Sequence, residues 1–203
     1  MSHNIDKIFY INLDKREDRR AEIEQELNLM DLPYERFPAI YNESGPVGCG
    51  YSHLSVLKLA RDRGYKNVLI FEDDFTFLVS KTELNEYLDK LFNNFRAFDV
   101  CFLSYNCSTF EEIPGHAFIK RVIDSQTASG YIVNETCYNK LISLYEETVP
   151  LLEETNYHWI YATDQCWKGL QKQDMWICFD KRIGKQRPSY SDNTKTFVDY
   201  EDV

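Results

Sequence analysis

The glycine-rich loops by which many proteins grip nucleotides are missing from this sequence. No Gly-x-Gly-x-x-Gly follows the first predicted strand and no Gly-x-x-x-x-Gly-Lys-Ser/Thr occurs, which excludes a dinucleotide fingerprint and a P-loop. Six cysteines (Cys49, Cys101, Cys107, Cys137, Cys166 and Cys178) contain no Cys-x-x-Cys pair and no zinc-like spacing. No apolar run approaches the length of a bilayer span, and the polar start, Met1 to Asp6, has no signal-peptide core. The expectation is a soluble cytoplasmic protein with reduced thiols. Basic residues are in the minority, 23 against 33 acidic ones, for a net charge of −10. That balance argues against nucleic-acid binding, and it requires that any anionic substrate meet local cations or a metal.

With 43% hydrophobic and 15% aromatic residues, the chain is globular rather than disordered. No repeat, low-complexity segment or linker divides it. The expected organisation is one domain over residues 1–203, with a flexible C-terminal loop from about 181 to 203.

Strand and helix patterns alternate. Lys7 to Leu13, Tyr34 to Ile40, Val68 to Phe71, Val100 to Tyr105, Ala117 to Ile123, Gly130 to Val133 and Met175 to Phe179 read as strands. Between them, Arg16 to Leu29 and Tyr51 to Arg63 read as helices, the second ended by Gly64. Ser80-Lys81-Thr82-Glu83 fits a capping box and opens a helix whose buried stripe includes Leu84, Leu88 and Leu91. Asn134 is placed to cap a helix running through Tyr145, and a short helix is expected from Asp164 to Leu170. Gly48-Cys49-Gly50 reads as a tight turn before a helix, and the polar segment after Asp180 as loop. Such alternation implies an α/β fold with a mainly parallel sheet covered by helices.

The chemistry concentrates at Val68-Leu69-Ile70-Phe71-Glu72-Asp73-Asp74. An apolar run typical of a strand buried on both faces ends in three carboxylates, at the strand end where α/β sheets bind ligands. Strand alternation would send Glu72 and Asp74 one way and Asp73 the other. Two hard oxygen donors on one side suit Mg²⁺ or Mn²⁺, and the metal in turn a phosphate.

Further blocks converge on a family. Ile11-Asn12-Leu13-Asp14 with Arg16 and the Arg19-Arg20 pair resembles the opening of glycosyltransferase family 25. Phe37-Pro38-Ala39-Ile40 resembles its second strand, and Gly48-Cys49-Gly50-Tyr51-Ser52-His53-Leu54 its Gly-Cys-x-x-Ser-His-Leu block. Phe71-Glu72-Asp73-Asp74, Thr127-Ala128-Ser129-Gly130-Tyr131 and Ser189-Tyr190-Ser191-Asp192 are similar to its later elements. Gly50-Tyr51 and Ala162-Thr163-Asp164 depart from the family pattern.

The resemblance implies a GT-A type fold and inverting transfer of a hexose from UDP-galactose or UDP-glucose, assisted by Mn²⁺ or Mg²⁺. The acceptor class would be a glycan, a lipooligosaccharide or a collagen-like hydroxylysine. Asp74 is the first candidate metal ligand, helped by Glu72, with Asp192 added by analogy; Asp192 in a turn is the bland alternative. Candidate donor-binding residues are Asn12, Arg16, Arg20, Ala39, Ser52, His53, Glu72 and Asp73, with Lys185 and Arg187 in the closing segment. A solvated helix face explains Arg19 and Arg20 nearly as well, and a lone histidine is more often structural. Inversion needs a base for the acceptor hydroxyl, and Asp164 is the candidate, with helix capping as its alternative role. Aromatic residues from Tyr157 to Tyr161 are candidates for stacking on an acceptor sugar. A nucleotidyltransferase or sugar-phosphate enzyme, and a non-catalytic nucleotide-sugar-binding module, use similar features and stay open.

Overall fold

The computed structural model describes residues 4–191 and 196–198. Its first half contains β1 (Lys7–Asn12), α1 (Glu17–Leu29), β2 (Glu35–Pro38), α2 (Gly45–Asp62), β3 (Asn67–Glu72), β4 (Phe75–Phe77) and α3 (Lys81–Asn94). Then follow β5 (Val100–Phe102), β6 (Asn106–Glu112), β7 (Ile119–Gln126), β8 (Gly130–Asn134) and α4 (Glu135–Thr155). The last part has α5 (His158–Tyr161), α6 (Thr163–Cys166), α7 (Lys168–Gln173), β9 (Trp176–Phe179), β10 (Gly184–Gln186), β11 (Ser189–Ser191) and β12 (Thr196–Val198).

Eight strands form one sheet in the order β2-β1-β3-β8-β5-β9-β7-β6. β2, β1, β3, β5, β9 and β6 run one way; β8 and β7 run the other. The sheet is thus mixed: most strands share a direction, but β8 interrupts the parallel neighbours that the helix–strand alternation implied.

Alternation along the central strands divides the core in two. Phe9, Ile11, Val68, Ile70, Val100, Phe102, Tyr131 and Val133 face a layer closed by α2 and α4 and by Trp167. Ile8, Tyr10, Leu69, Phe71, Cys101 and Ile132 face the opposite layer, closed by α1 and α3. Burial on both faces explains the near-continuous apolar reading of β3. Cys101 and Cys178 are buried in strands as small hydrophobes.

Local rules account for the start of α3 and the end of α2. Ser80 and Glu83 make the expected capping box, and Gly64, at φ +69°, follows the C-cap of α2. Two helices are longer than their sequences suggested. α2 begins at Gly45 with Pro46 in its first turn, so Gly48 and Gly50 lie inside the helix instead of forming a turn. A Cβ on Gly48 would sit 2.7 Å from the Ile40 carbonyl, and one on Gly50 2.7 Å from Val149 Cγ2. Close packing, not turning, is what these glycines provide. α4 passes through Pro150 to Thr155 because Val149 and Leu152 extend the buried stripe of Tyr138, Leu141, Ile142 and Tyr145. Asn134 makes no side-chain cap; its amide donates to the Phe98 carbonyl instead.

The segment after Asp180 was expected to be loop, yet β10 pairs antiparallel with β4, and β11 pairs with β12. Between β10 and β8 lies the Phe75 ring. A Cβ on Gly184 would fall 2.0 Å from Phe75 Cζ, and one on Gly130 2.5 Å from its Cε2. Gly184→Ala should therefore destabilise the protein by roughly 1–3 kcal/mol through overpacking. The additional change Phe75→Leu should recover part of that loss in denaturant melts; simple additivity of the two changes would refute the steric account.

Candidate functional site

β1, β2 and β3 are parallel, so their carboxyl ends lie together, with Ile11 beside Glu72 and Asn12 beside Pro38. Beyond Glu72 the chain turns into β4, and Asp73 and Asp74 occupy that turn. The pleat ends there, so the alternation predicted for the three acids does not extend through them. Asp73 and Asp74 converge on Arg19, which donates to Asp73 Oδ1 at 2.9 Å and to Asp74 Oδ2 at 3.1 Å. Its other terminal nitrogen donates to Ser189 Oγ at 2.6 Å. Arg19 is no solvated helix residue: its side chain is only 12% exposed. Asn12 completes this group, donating to Asp73 Oδ2 at 2.8 Å and to the Arg16 carbonyl.

Glu72 belongs to a second group. Its Oε1 lies 3.1 Å from His53 Nε2 and accepts from the Cys49 thiol at 3.4 Å. The other ring nitrogen, His53 Nδ1, is 2.7 Å from the Tyr131 hydroxyl. An ionised Glu72 accepts from Nε2–H, and Tyr131 then donates to Nδ1, which satisfies every group in the chain. Ser52, one residue earlier on α2, accepts from Ile40 N at 2.8 Å and donates to the Gly48 carbonyl at 2.7 Å. That bridge fixes the loop after β2 against α2, and Ala39 N is held by the Asn12 carbonyl.

Both groups border a cleft of about 570 Å³ lined by Asn12, Arg16, Ala39, Ser52, His53, Glu72, Asp73 and Asp74 among others. Lys15 and Gln186, which the sequence did not single out, also line it. Arg20, Lys185, Arg187 and Asp164 do not. Arg20 lies outside, paired with Glu24. Arg187 is held by Glu22 and Glu26 of α1, while its backbone N–H donates to the Asp74 carbonyl at 2.6 Å. Lys185 sits in β10 opposite Thr76. Asp192 lies outside the described residues.

Asp164 is close enough to feel Glu72: burial, and secondarily the charge of Glu72, push its carboxyl up, with the Thr127 N–H working against them. That N–H donates to Asp164 Oδ2 at 3.2 Å. Asp164 does not cap its own helix, since Ala162 occupies that position. It instead anchors Thr127, which has a φ of +82° in the turn before β8. Tyr157, just before α5, and Trp159 and Ile160 within it are exposed to solvent, with the two aromatic rings 5.0 Å apart.

Charge balance distinguishes the acids. Burial drives Glu72 upward, but its hydrogen bonds from His53 and Cys49 outweigh it and hold the carboxyl below its ordinary value. Asp73 is raised by burial despite Arg19 and Asn12. Asp74 is pushed up to about 7 by burial and then by Glu72, with Arg19 and the side chain of Gln186 offsetting only part. Its Oδ1 is buried and accepts no hydrogen bond among the described residues. An unpartnered carboxylate oxygen beside two further acids and one guanidinium fits a divalent cation held by hard oxygen.

No protein-family model matches the sequence, and no curated protein matches it. Solved structures do. The chain shares the fold of a glycosyltransferase. That protein, from the glycosylation of the major capsid of PBCV-1, aligns with 93% of this chain and 95% of its own at a TM-score of 0.55 and 6% identity. Mannose-1-phosphate geranyltransferase from Thermus thermophilus aligns at a TM-score of 0.47 and 8% identity, over 88% of this chain and 58% of its own. The glycosyltransferase GlyE of Streptococcus pneumoniae aligns at 0.43 and 12%, over 88% and 39%. At such identities the likeness concerns fold alone, and the resemblance to family 25 rests on the sequence blocks.

The raised Asp74 carboxyl carries a stability consequence. Its folded value, about 7, exceeds the ordinary 3.8, so stability is full below about pH 4 and is lost as pH rises through 7. Asp74→Asn should therefore raise the melting temperature at pH 8 by roughly 3–6 °C and change it little at pH 4. Equal effects at both pH values in thermal melts would contradict the assigned cause.

Proposed function

We propose that this chain is an inverting hexosyltransferase that takes UDP-galactose or UDP-glucose as donor and a glycan, lipooligosaccharide or hydroxylysine-type hydroxyl as acceptor. The observation that carries this reading is the unpartnered, buried Asp74 Oδ1 at the mouth of a parallel strand trio. Asp74, with Asp73 beside it, would hold Mn²⁺ or Mg²⁺, which when bound neutralises charge developing on the diphosphate. Lys15 lines the same cleft, as does Arg16, which is paired with Asp18 at 2.9 Å; these are the cations that the acidic chain requires there. Asn12 and Arg19 hold Asp73 and Asp74 in place, so they position the site.

In this reading Asp164 takes the proton of the acceptor hydroxyl as that oxygen attacks the anomeric carbon. The bond from the sugar to the diphosphate breaks, and UDP leaves. A carboxyl raised by burial is a stronger base than an ordinary aspartate. The exposed rings of Tyr157 and Trp159 lie at the helix just before Asp164, where an acceptor sugar can stack on them.

Donor binding is read by calorimetry. UDP should bind weakly alone and at least about tenfold more tightly with Mn²⁺, and Asp74→Asn should remove most of that gain. Equal affinity with and without the metal would sink the metal-assisted reading. Release of UDP rather than pyrophosphate from a UDP-sugar separates transfer of sugar from transfer of nucleotide.

For the base, Asp164→Asn should leave UDP affinity within a few-fold while lowering turnover by roughly 10² or more. Full turnover in that variant would move the base to another carboxylate. Glu153, which is bonded to cleft-lining Asn42, is one alternative.

A further inference from the structure

The group formed by Cys49, His53 and Glu72 differs in kind from the carboxylate pair beside it. Cys49 and His53 are one helical turn apart on α2 and therefore project from the same face. The end of β3 brings Glu72 to that face. A thiol sulfur, an imidazole nitrogen and a carboxylate oxygen lie within 4.8 Å of one another. Two of the separations are 3.4 Å, from Cys49 Sγ to Glu72 Oε1, and 3.1 Å, from His53 Nε2 to the same oxygen. In a tetrahedral site with metal–ligand bonds of about 2.0–2.3 Å, neighbouring ligands are about 3.3–3.8 Å apart. The two separations to the Glu72 oxygen are thus close to ligand spacing.

The remaining features suit a cation with soft-to-borderline preferences. Tyr131 bonds the far ring nitrogen at 2.7 Å, which fixes the histidine so that Nε2 faces Cys49 and Glu72. All three residues line the cleft, which leaves a fourth direction open to solvent or ligand. Mg²⁺ and Mn²⁺ prefer all-oxygen sites, whereas thiolate with imidazole selects zinc-like ions.

We propose that Cys49, His53 and Glu72 form a second cation site, specific for Zn²⁺ or a similar ion and separate from the Asp74 position. Binding replaces the thiol proton of Cys49, which passes to solvent, and shifts the imidazole proton from Nε2 to Nδ1, where it is donated to the Tyr131 oxygen; the two hydrogen bonds to Glu72 are broken. This site stands on its own geometry and does not depend on the transferase reading.

Cobalt is the probe. The reduced full-length protein, titrated with Co²⁺, should develop the visible bands of a tetrahedral ion and a near-ultraviolet thiolate-to-cobalt charge-transfer band. Equimolar Zn²⁺ should abolish both. Cys49→Ser should lose the charge-transfer band and bind Zn²⁺ at least about 100-fold more weakly. Tyr131→Phe should keep the band with affinity reduced about 10- to 100-fold. Asp74→Asn, Cys107→Ser and Cys166→Ser should retain it, which assigns the sulfur and separates this site from the hard one. Zn²⁺ should also protect Cys49 of the unaltered protein from iodoacetamide, read by mass spectrometry, so the test survives if a variant does not fold. Absence of the band in the unaltered protein, its survival in Cys49→Ser, or alkylation of Cys49 unaffected by Zn²⁺ would each overturn the proposal.

Discussion

The guanidinium of Arg19 holds two buried carboxylates together at the end of β3, and the cleft is organised around that contact. Asp73 and Asp74 are adjacent in the chain and both screened from solvent, so their mutual repulsion acts with little screening by water. One terminal nitrogen of the Arg19 guanidinium reaches both acids, which leaves the other for Ser189. Through it α1, the turn after β3 and the start of β11 are joined. Removing the cation would leave buried charge without compensation, the costly case for an internal ion pair.

The two halves of the acidic cluster are in opposite conditions. Glu72 is fully engaged by His53 and Cys49, and Tyr131 completes that chain of hydrogen bonds. Asp74 keeps a bare oxygen and an elevated carboxyl value, a local arrangement that lowers the stability of the folded state. Proteins tolerate such deficits mainly where a ligand is to be held. The contrast between one satisfied and one unsatisfied acid, two residues apart, marks where an incoming cation gains most.

The sequence disclosed what local rules govern. The apolar run of β3, the Ser80 capping box, the stripe of α3 and the stop at Gly64 each depend on neighbours a few residues away, and each is present. Where distant packing decides, the reading failed. Gly48 and Gly50 looked like a turn because glycine permits one, but they admit the Ile40 carbonyl and Val149. The sequence gives no sign of β6, which is largely exposed, or of β4, β10, β11 and β12, which are strands of three residues each. The acidic strand end was legible as a cluster of residue types. The burial of Arg19 was not, since its partners lie 54 and 55 positions away and a charged helix gives no sign of which face turns inward. His53 and Glu72 were both named as candidates, but nothing in the spacing joined them or brought Cys49 to the same oxygen.

The contact between Arg19 and Ser189 spans 170 positions, and β10 returns to β4 from more than half the chain away. Loop closure of that length is entropically costly and is repaid only once both ends are in place. During synthesis the acidic turn and its arginine emerge before the strand that covers Phe75 and the hydroxyl that completes the Arg19 contacts. Until then the ring between Gly130 and Gly184 lacks one of its walls. The nascent chain must therefore carry an uncovered apolar ring beside an unfinished charged cluster until β10 has followed, a state exposed to association with other chains.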